Sequence, residues 1–171
     1  LAIHFFLEKS FQSSSFSLSS FSSPFFLSFL SFQPLPLFRF SFDEMLDLKG
    51  DTAVYLLYAH ARIASIVRKA GKDVAALARE NKIVLAHDDE QALALAVARF
   101  PEAVEEALAD LSPNRLCDYL YSLTEAFNQF YGSCKVVGSE DEASRLLLCE
   151  ATAVVMRQVF ALLGLTPLYR L

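Results

Sequence analysis

The chain has 171 residues, 15 Lys/Arg against 20 Asp/Glu and a formal net charge of −5, with 54% hydrophobic residues. That length suffices for one domain with a full core, and the net acidity argues against a protein that coats nucleic acid through bulk positive charge. Its three cysteines, Cys117, Cys134 and Cys149, form no C-x-x-C pair, which argues against a structural zinc site and for small core residues in a reducing compartment.

Residues 1–42 stand apart from the rest. They hold 12 Phe, 12 Ser, 7 Leu and 3 Pro, with only Glu8, Lys9 and Arg39 charged. Neither a 3.6 period nor an alternation runs through them, so no fold is predicted there. The apolar runs are too short and too broken by Ser, Gln and Pro for a membrane span, and no secretory signal is present. Phe, Ser, Leu and Pro are also the four residues whose codons can consist of pyrimidines alone. Two origins fit this composition: a disordered or targeting segment, or a non-coding stretch read as protein.

From Asp43 to Leu171 the caps and breakers predict helices. Asp51 or Thr52 caps a helix running to Ala70, with Gly71 placed to end it. A shorter helix is predicted around Asp73–Lys82. The stretch "DDEQALALAVARF" predicts one from near Asp88, which Pro101 kinks or restarts. Ser112-Pro113 reads as an N-cap and first-turn proline before "NRLCDYLYSLTEAFNQFY", with Gly132 as its end. Ser139 and Glu142 have capping-box spacing ahead of "ASRLLLCEATAVVMRQVFALL", which Gly164 and Pro167 stop. Strand signals are nearly absent. The expected fold class is therefore an all-α bundle of five or six helices behind a disordered low-complexity segment.

Catalytic signatures are missing. No phosphate-binding glycine loop, nucleophile elbow or H-E-x-x-H pair occurs. His60 and His87 read as ordinary histidines without a partner set. The acidic group Asp88, Asp89, Glu90, Glu102, Glu105, Glu106 and Asp110 reads as a solvated helix face rather than a metal site. Opposite in sign, Arg62, Arg68, Lys69, Lys72, Arg79 and Lys82 against Asp73 and Glu80 give a local +4. Such an edge suits local contact with nucleic acid, and equally a helix end that complements its own dipole.

The first predicted helix carries the most specific pattern. At ~100° per residue, Tyr55, Tyr58, Ala59 and Arg62 fall within about 100° of one another. Leu56, Ile63, Ile66, Val67 and Ala70 form the neighbouring apolar face. The Tyr/Arg edge thus lies where core meets solvent. Two aromatic rings, a guanidinium and a small residue can seat one unstacked base; the same pattern also serves plain boundary packing.

"FDEMLDLKGDTAVYLLYAHARIASIVRK", "ARFPEAVEEAL", "LCDYLYSLTEAFNQFY" and "SRLLLCEATAVVMRQVFALLGLTPLYRL", in that order, resemble the C-terminal part of arginyl-tRNA synthetases of eukaryotic, plant-like type. The resemblance covers 43–171 and implies the all-helical DALR-type anticodon-binding domain. It implies as partner the anticodon loop of arginine tRNA, whose middle cytosine is read from a splayed loop. The positions it points to for tRNA binding are Tyr55, Tyr58, Ala59, Arg62, Tyr131 and the terminal Leu171. Leu171 stands where many members end in Met, and Leu57 where Gln is common. The resemblance places the ATP- and Mg²⁺-dependent catalytic core, which packs on this bundle in the intact enzyme, upstream. Residues 1–42 carry none of its motifs, so a fragment with no cofactor, membrane partner or catalysis of its own is expected, in the cytoplasm or an organelle. The alternative is a helical module that docks on a protein without binding tRNA.

Overall fold

The computed structural model describes residues 52–170. Six helices follow in order: α1 Ala53–Ala70, α2 Val74–Glu80, α3 Asp88–Ala98, α4 Phe100–Asp110, α5 Asn114–Ser133 and α6 Glu142–Leu162. Only Arg99 separates α3 from α4, so the pair is equally one helix kinked just before Pro101. The reading of 1–42 as low-complexity falls outside the described residues.

Local chemistry explains most of the helix ends. Thr52 caps α1 by accepting the Tyr55 N–H at 3.4 Å. Gly71 closes it in the left-handed conformation at φ 62°. Asp73 caps α2 by accepting the Ala75 N–H. At the far end of α6, the Leu165 N–H reaches the Phe160 carbonyl at 2.8 Å and the Gly164 N–H reaches Ala161. These two bonds are a Schellman motif, and Gly164 at φ 73° supplies the left-handed residue it needs.

Three expected boundaries are corrected. Gly132 does not end α5: the helix runs through it to Ser133 and stops at the extended Cys134. Phe130 is fully buried, and the Cys134 N–H still bonds its carbonyl, so packing carries the helix past a residue that would be free to leave it. Pro113 is not the first helical residue but the N-cap of α5, and its side chain makes no capping bond; the Ser112 carbonyl accepts the Arg115 N–H. The Ser139/Glu142 box does not form. The Ser139 hydroxyl donates to the Val136 carbonyl, and the Glu142 carboxylate reaches back to the Gly138 N–H at 2.6 Å and to Lys72 at 2.8 Å. Gly138 at φ 75° turns that N–H toward the carboxylate.

The last helix, α6, is the axis of the bundle. Twelve of its residues are buried, from Ser144 to Phe160, and α1, α2, α3 and α5 all pack on it. α4 packs on α5, beside α3. Leu93, Leu120, Leu123, Phe127, Phe130, Leu146, Met156, Val159 and Phe160 fill the centre with Ile63 of α1. Burying large side chains of this kind contributes roughly 1.5–3 kcal/mol each. Cys134 and Cys149 belong to this core, and Cys117 is half-buried. Burial pushes the Cys149 thiol up to about 12, which keeps it protonated and inert.

Candidate nucleic-acid interface

α1 and α5 lie side by side, and their wet edges meet. From α1 come Tyr55, Tyr58 and Arg62; from α5 come Tyr121, Asn128 and Tyr131, which share one edge within ~80° of arc. The Arg62 guanidinium lies 5.8 Å from the Tyr58 ring centroid and 5.3 Å from that of Tyr131. Both rings are exposed, at 47% and 41%. At such distances the cation is drawn to the ring faces, by about 0.5–1 kcal/mol at exposed sites.

Asn128 ties the two helices together. Its amide N–H donates to the Tyr55 hydroxyl at 2.9 Å, and its carbonyl oxygen accepts from Arg62 Nη1 at 3.4 Å. Chemistry fixes the orientation, because a guanidinium only donates. Tyr55 spends an oxygen lone pair on Asn128, which leaves its own proton available to an outside acceptor. Behind these groups, Tyr55 packs on Tyr121 at 5.9 Å, and Tyr131 stacks on the buried Phe127 at 6.1 Å with 20° between planes. Among the described residues Arg62 has no carboxylate partner, so its charge faces outward uncompensated.

The structure therefore brings together four of the six residues singled out in the sequence: Tyr55, Tyr58, Arg62 and Tyr131. Ala59 sits differently. It is only 3% exposed, so its methyl group packs into the core beneath the edge instead of lining it. Leu171 lies outside the described residues. The segment leading to it crosses the other flank of α1, where the Leu168 carbonyl meets His60 Nδ1 at 2.8 Å and the Tyr169 carbonyl accepts from Arg68 at 3.4 Å. Sequence reasoning missed Asn128 and Tyr121. Their helical register with Tyr131 was a signal, but nothing along the chain shows that α5 lies against α1.

Both histidines also have definite roles. His87 caps α3 by accepting the Asp89 N–H at 3.1 Å. His60 is fully buried between Phe160 and Tyr169, edge-on to both rings, and its Nε2 has no hydrogen-bond partner among the described residues. The acidic face needs one correction. Glu90 does not face solvent: it is 1% exposed, accepts the Ala86 and His87 N–H groups, and pairs with Arg145 Nε at 2.6 Å. No group of three or more His, Cys, Asp or Glu that could hold a metal ion occurs among the described residues, and no helix there is long and apolar enough to cross a membrane.

Comparison with known proteins places this geometry in context. A family model described as the DALR anticodon binding domain matches residues 56–171. Over 134 residues the chain is 60% identical to the chloroplastic/mitochondrial arginine–tRNA ligase of Arabidopsis thaliana and 61% identical to the cytoplasmic one. Each match covers 78% of this chain, but 21% and 23% of the relative. The arginyl-tRNA synthetase structure from Plasmodium falciparum matches with a TM-score of 0.72 at 36% identity, covering 78% of this chain and 24% of that one. The chain thus spans about a fifth to a quarter of the length of these relatives.

Proposed function

Because the chain belongs to the DALR anticodon-binding domains of the arginine–tRNA ligases, we propose that it binds the anticodon loop of arginine tRNA and reads its middle cytosine at the Tyr58–Arg62–Tyr131 edge. One observation carries this reading: an outward-facing guanidinium without a carboxylate partner among the described residues is flanked by two exposed tyrosine rings. A base turned out of the loop stacks on a tyrosine face, and stacking is worth about 1–3 kcal/mol per base. Cytosine presents O2 and N3 as acceptors, which suit the Arg62 and Tyr55 donors. The Asn128 bridge holds those donors in place before the base arrives, so less ordering entropy is lost on binding.

In this reading the domain contributes tRNA recognition alone. Arginine activation with ATP and Mg²⁺ belongs to the catalytic part of such an enzyme, and that part is the protein surface this bundle would pack against. The relatives' names cover the cytoplasm and organelles; we assign this chain to the cytoplasm, and import of a fluorescent fusion into organelles would overturn that.

The test is fluorescence anisotropy with a labelled arginine anticodon stem-loop and its counterpart carrying uracil at the middle position. The chain should prefer cytosine by about 1–3 kcal/mol, roughly 5- to 150-fold. Tyr58→Ala and Arg62→Ala should each weaken binding by up to about a hundredfold. Binding that is indifferent to the middle base favours a module that docks on protein, and equal affinity of both variants and the parent removes this edge as the site.

A further inference from the structure

Only some of the positive charge in the Arg62–Lys82 stretch is neutralised within the fold. Lys72 pairs with Glu142 at 2.8 Å, and Arg68 donates to the Tyr169 carbonyl. Lys69, Arg79 and Lys82 are exposed and make no ion pair among the described residues. Lys69 is distinguished by its position. On α1 it lies ~20° in azimuth from both Tyr58 and Arg62, and seven residues beyond Arg62, so about 10 Å further along the axis. The outer edge of α1 therefore reads ring, guanidinium, ammonium along a single line.

Charge is also segregated across the bundle. Asp88, Glu102, Glu105 and Glu106 are exposed on α3 and α4, and α4 packs against α5. A polyanion approaching this molecule is repelled by the α3–α4 surface and drawn to the α1 edge. From these observations we propose that Lys69 continues the anticodon site as a phosphate contact, so that the loop's sugar–phosphate backbone runs along α1 from Arg62 to Lys69. The proposal rests on the anticodon-loop reading given above and names the part of the ligand that this further residue holds. A 10 Å step corresponds to about three stacked nucleotides at 3.4 Å each, and to fewer where the strand is splayed. A lysine in the last turn of α1 also complements the helix dipole, but that role affects folding rather than the salt dependence of RNA binding.

The experiment measures binding of the full 171-residue chain to the same labelled stem-loops between about 50 and 200 mM salt. Each phosphate contact to a single strand contributes about 0.7 to the slope of log K against log salt. Lys69→Gln should reduce the slope by about 0.7 and weaken cytosine and uracil loops by the same factor, and Lys69→Arg should restore it. Arg99→Gln removes the same charge from the junction of α3 and α4, and should leave the slope as in the parent. An unchanged slope in Lys69→Gln overturns the proposal. So does an equal drop in Arg99→Gln, which would make the effect one of net charge. A parent that ignores the middle base while Lys69→Gln still lowers the slope refutes the base reading and leaves the phosphate contact standing. A parent that binds neither loop refutes both.

Discussion

Replacing Arg145 with Met should destabilise the fold more than any change on the Tyr58–Arg62–Tyr131 edge. Arg145 Nε donates to Glu90 Oε1 at 2.6 Å, its Nη1 donates to the Lys135 carbonyl at 2.9 Å, and its Nη2 lies 3.5 Å from Asp141. Methionine refills much of the apolar volume but leaves the Glu90 carboxylate, almost fully buried, without its cation. Removing one partner of a buried pair costs about 3–5 kcal/mol. The Arg145 side chain is 15% exposed, which admits some water and places the expected loss near the lower end, about 3 kcal/mol. Against a typical stability of about 5–15 kcal/mol that is a large fraction. In urea denaturation followed by far-UV circular dichroism, with a slope of about 2 kcal/mol/M, the midpoint should fall by about 1.5 M. The double variant Glu90→Gln with Arg145→Met should recover at least half of that, because no charge is left buried. The pH dependence has a definite sign. Burial by itself raises the Glu90 pKa, but the His87 and Ala86 N–H groups and Arg145 outweigh it and hold it below the ordinary value of 4.5. The unfolded chain then binds the proton first, so this stabilisation is present above pH ~4.5 and is lost as pH falls through the folded value. Arg145→Met should move the acid unfolding midpoint to higher pH. A single variant within about 1 kcal/mol of the parent, with the same acid midpoint, would refute the reasoning.

Two further outcomes are expected. Asn128→Ala removes the amide that joins Tyr55 to Arg62; one such bond is worth about 0.5–1.5 kcal/mol, so loop binding should weaken by roughly 2- to 13-fold with the salt slope unchanged. Affinity equal to the parent's would show that the bridge does not preorganise the site. His60 is held neutral: burial lowers its pKa below 6.5 and Arg157 adds to this, while the Leu168 carbonyl and Glu150 oppose it without prevailing. The unfolded histidine takes up its proton first, so stability is full above pH ~6.5 and declines as pH falls below that through the folded value. His60→Gln should flatten the decline below pH ~6.5 in urea titrations, and an identical decline in parent and variant would exclude His60 as its source.

Features that a few neighbouring residues control were legible along the chain. Helix positions followed from caps and breakers. Thr52, Gly71 and Gly164 marked ends correctly because a cap is settled within about one turn. The line of Tyr55, Tyr58 and Arg62 was legible for the same reason, since the helical pitch alone puts them on one edge. Where a local signal competed with packing, packing won. Gly132 could not stop α5 while Phe130 was held in the core, and the Ser139 hydroxyl found the Val136 carbonyl closer at hand. Glu90 was misread for a different reason: its periodicity places it among solvated acids, and the cation that pairs with its buried carboxylate, Arg145, comes 55 residues later. Asn128 joins Tyr55 across 73 residues, and His60 meets Leu168 across 108. No window of sequence contains such pairs. They exist because α6 gathers α1, α3 and α5 around itself, and that arrangement joins a row of tyrosines on one helix to the wet edge of another.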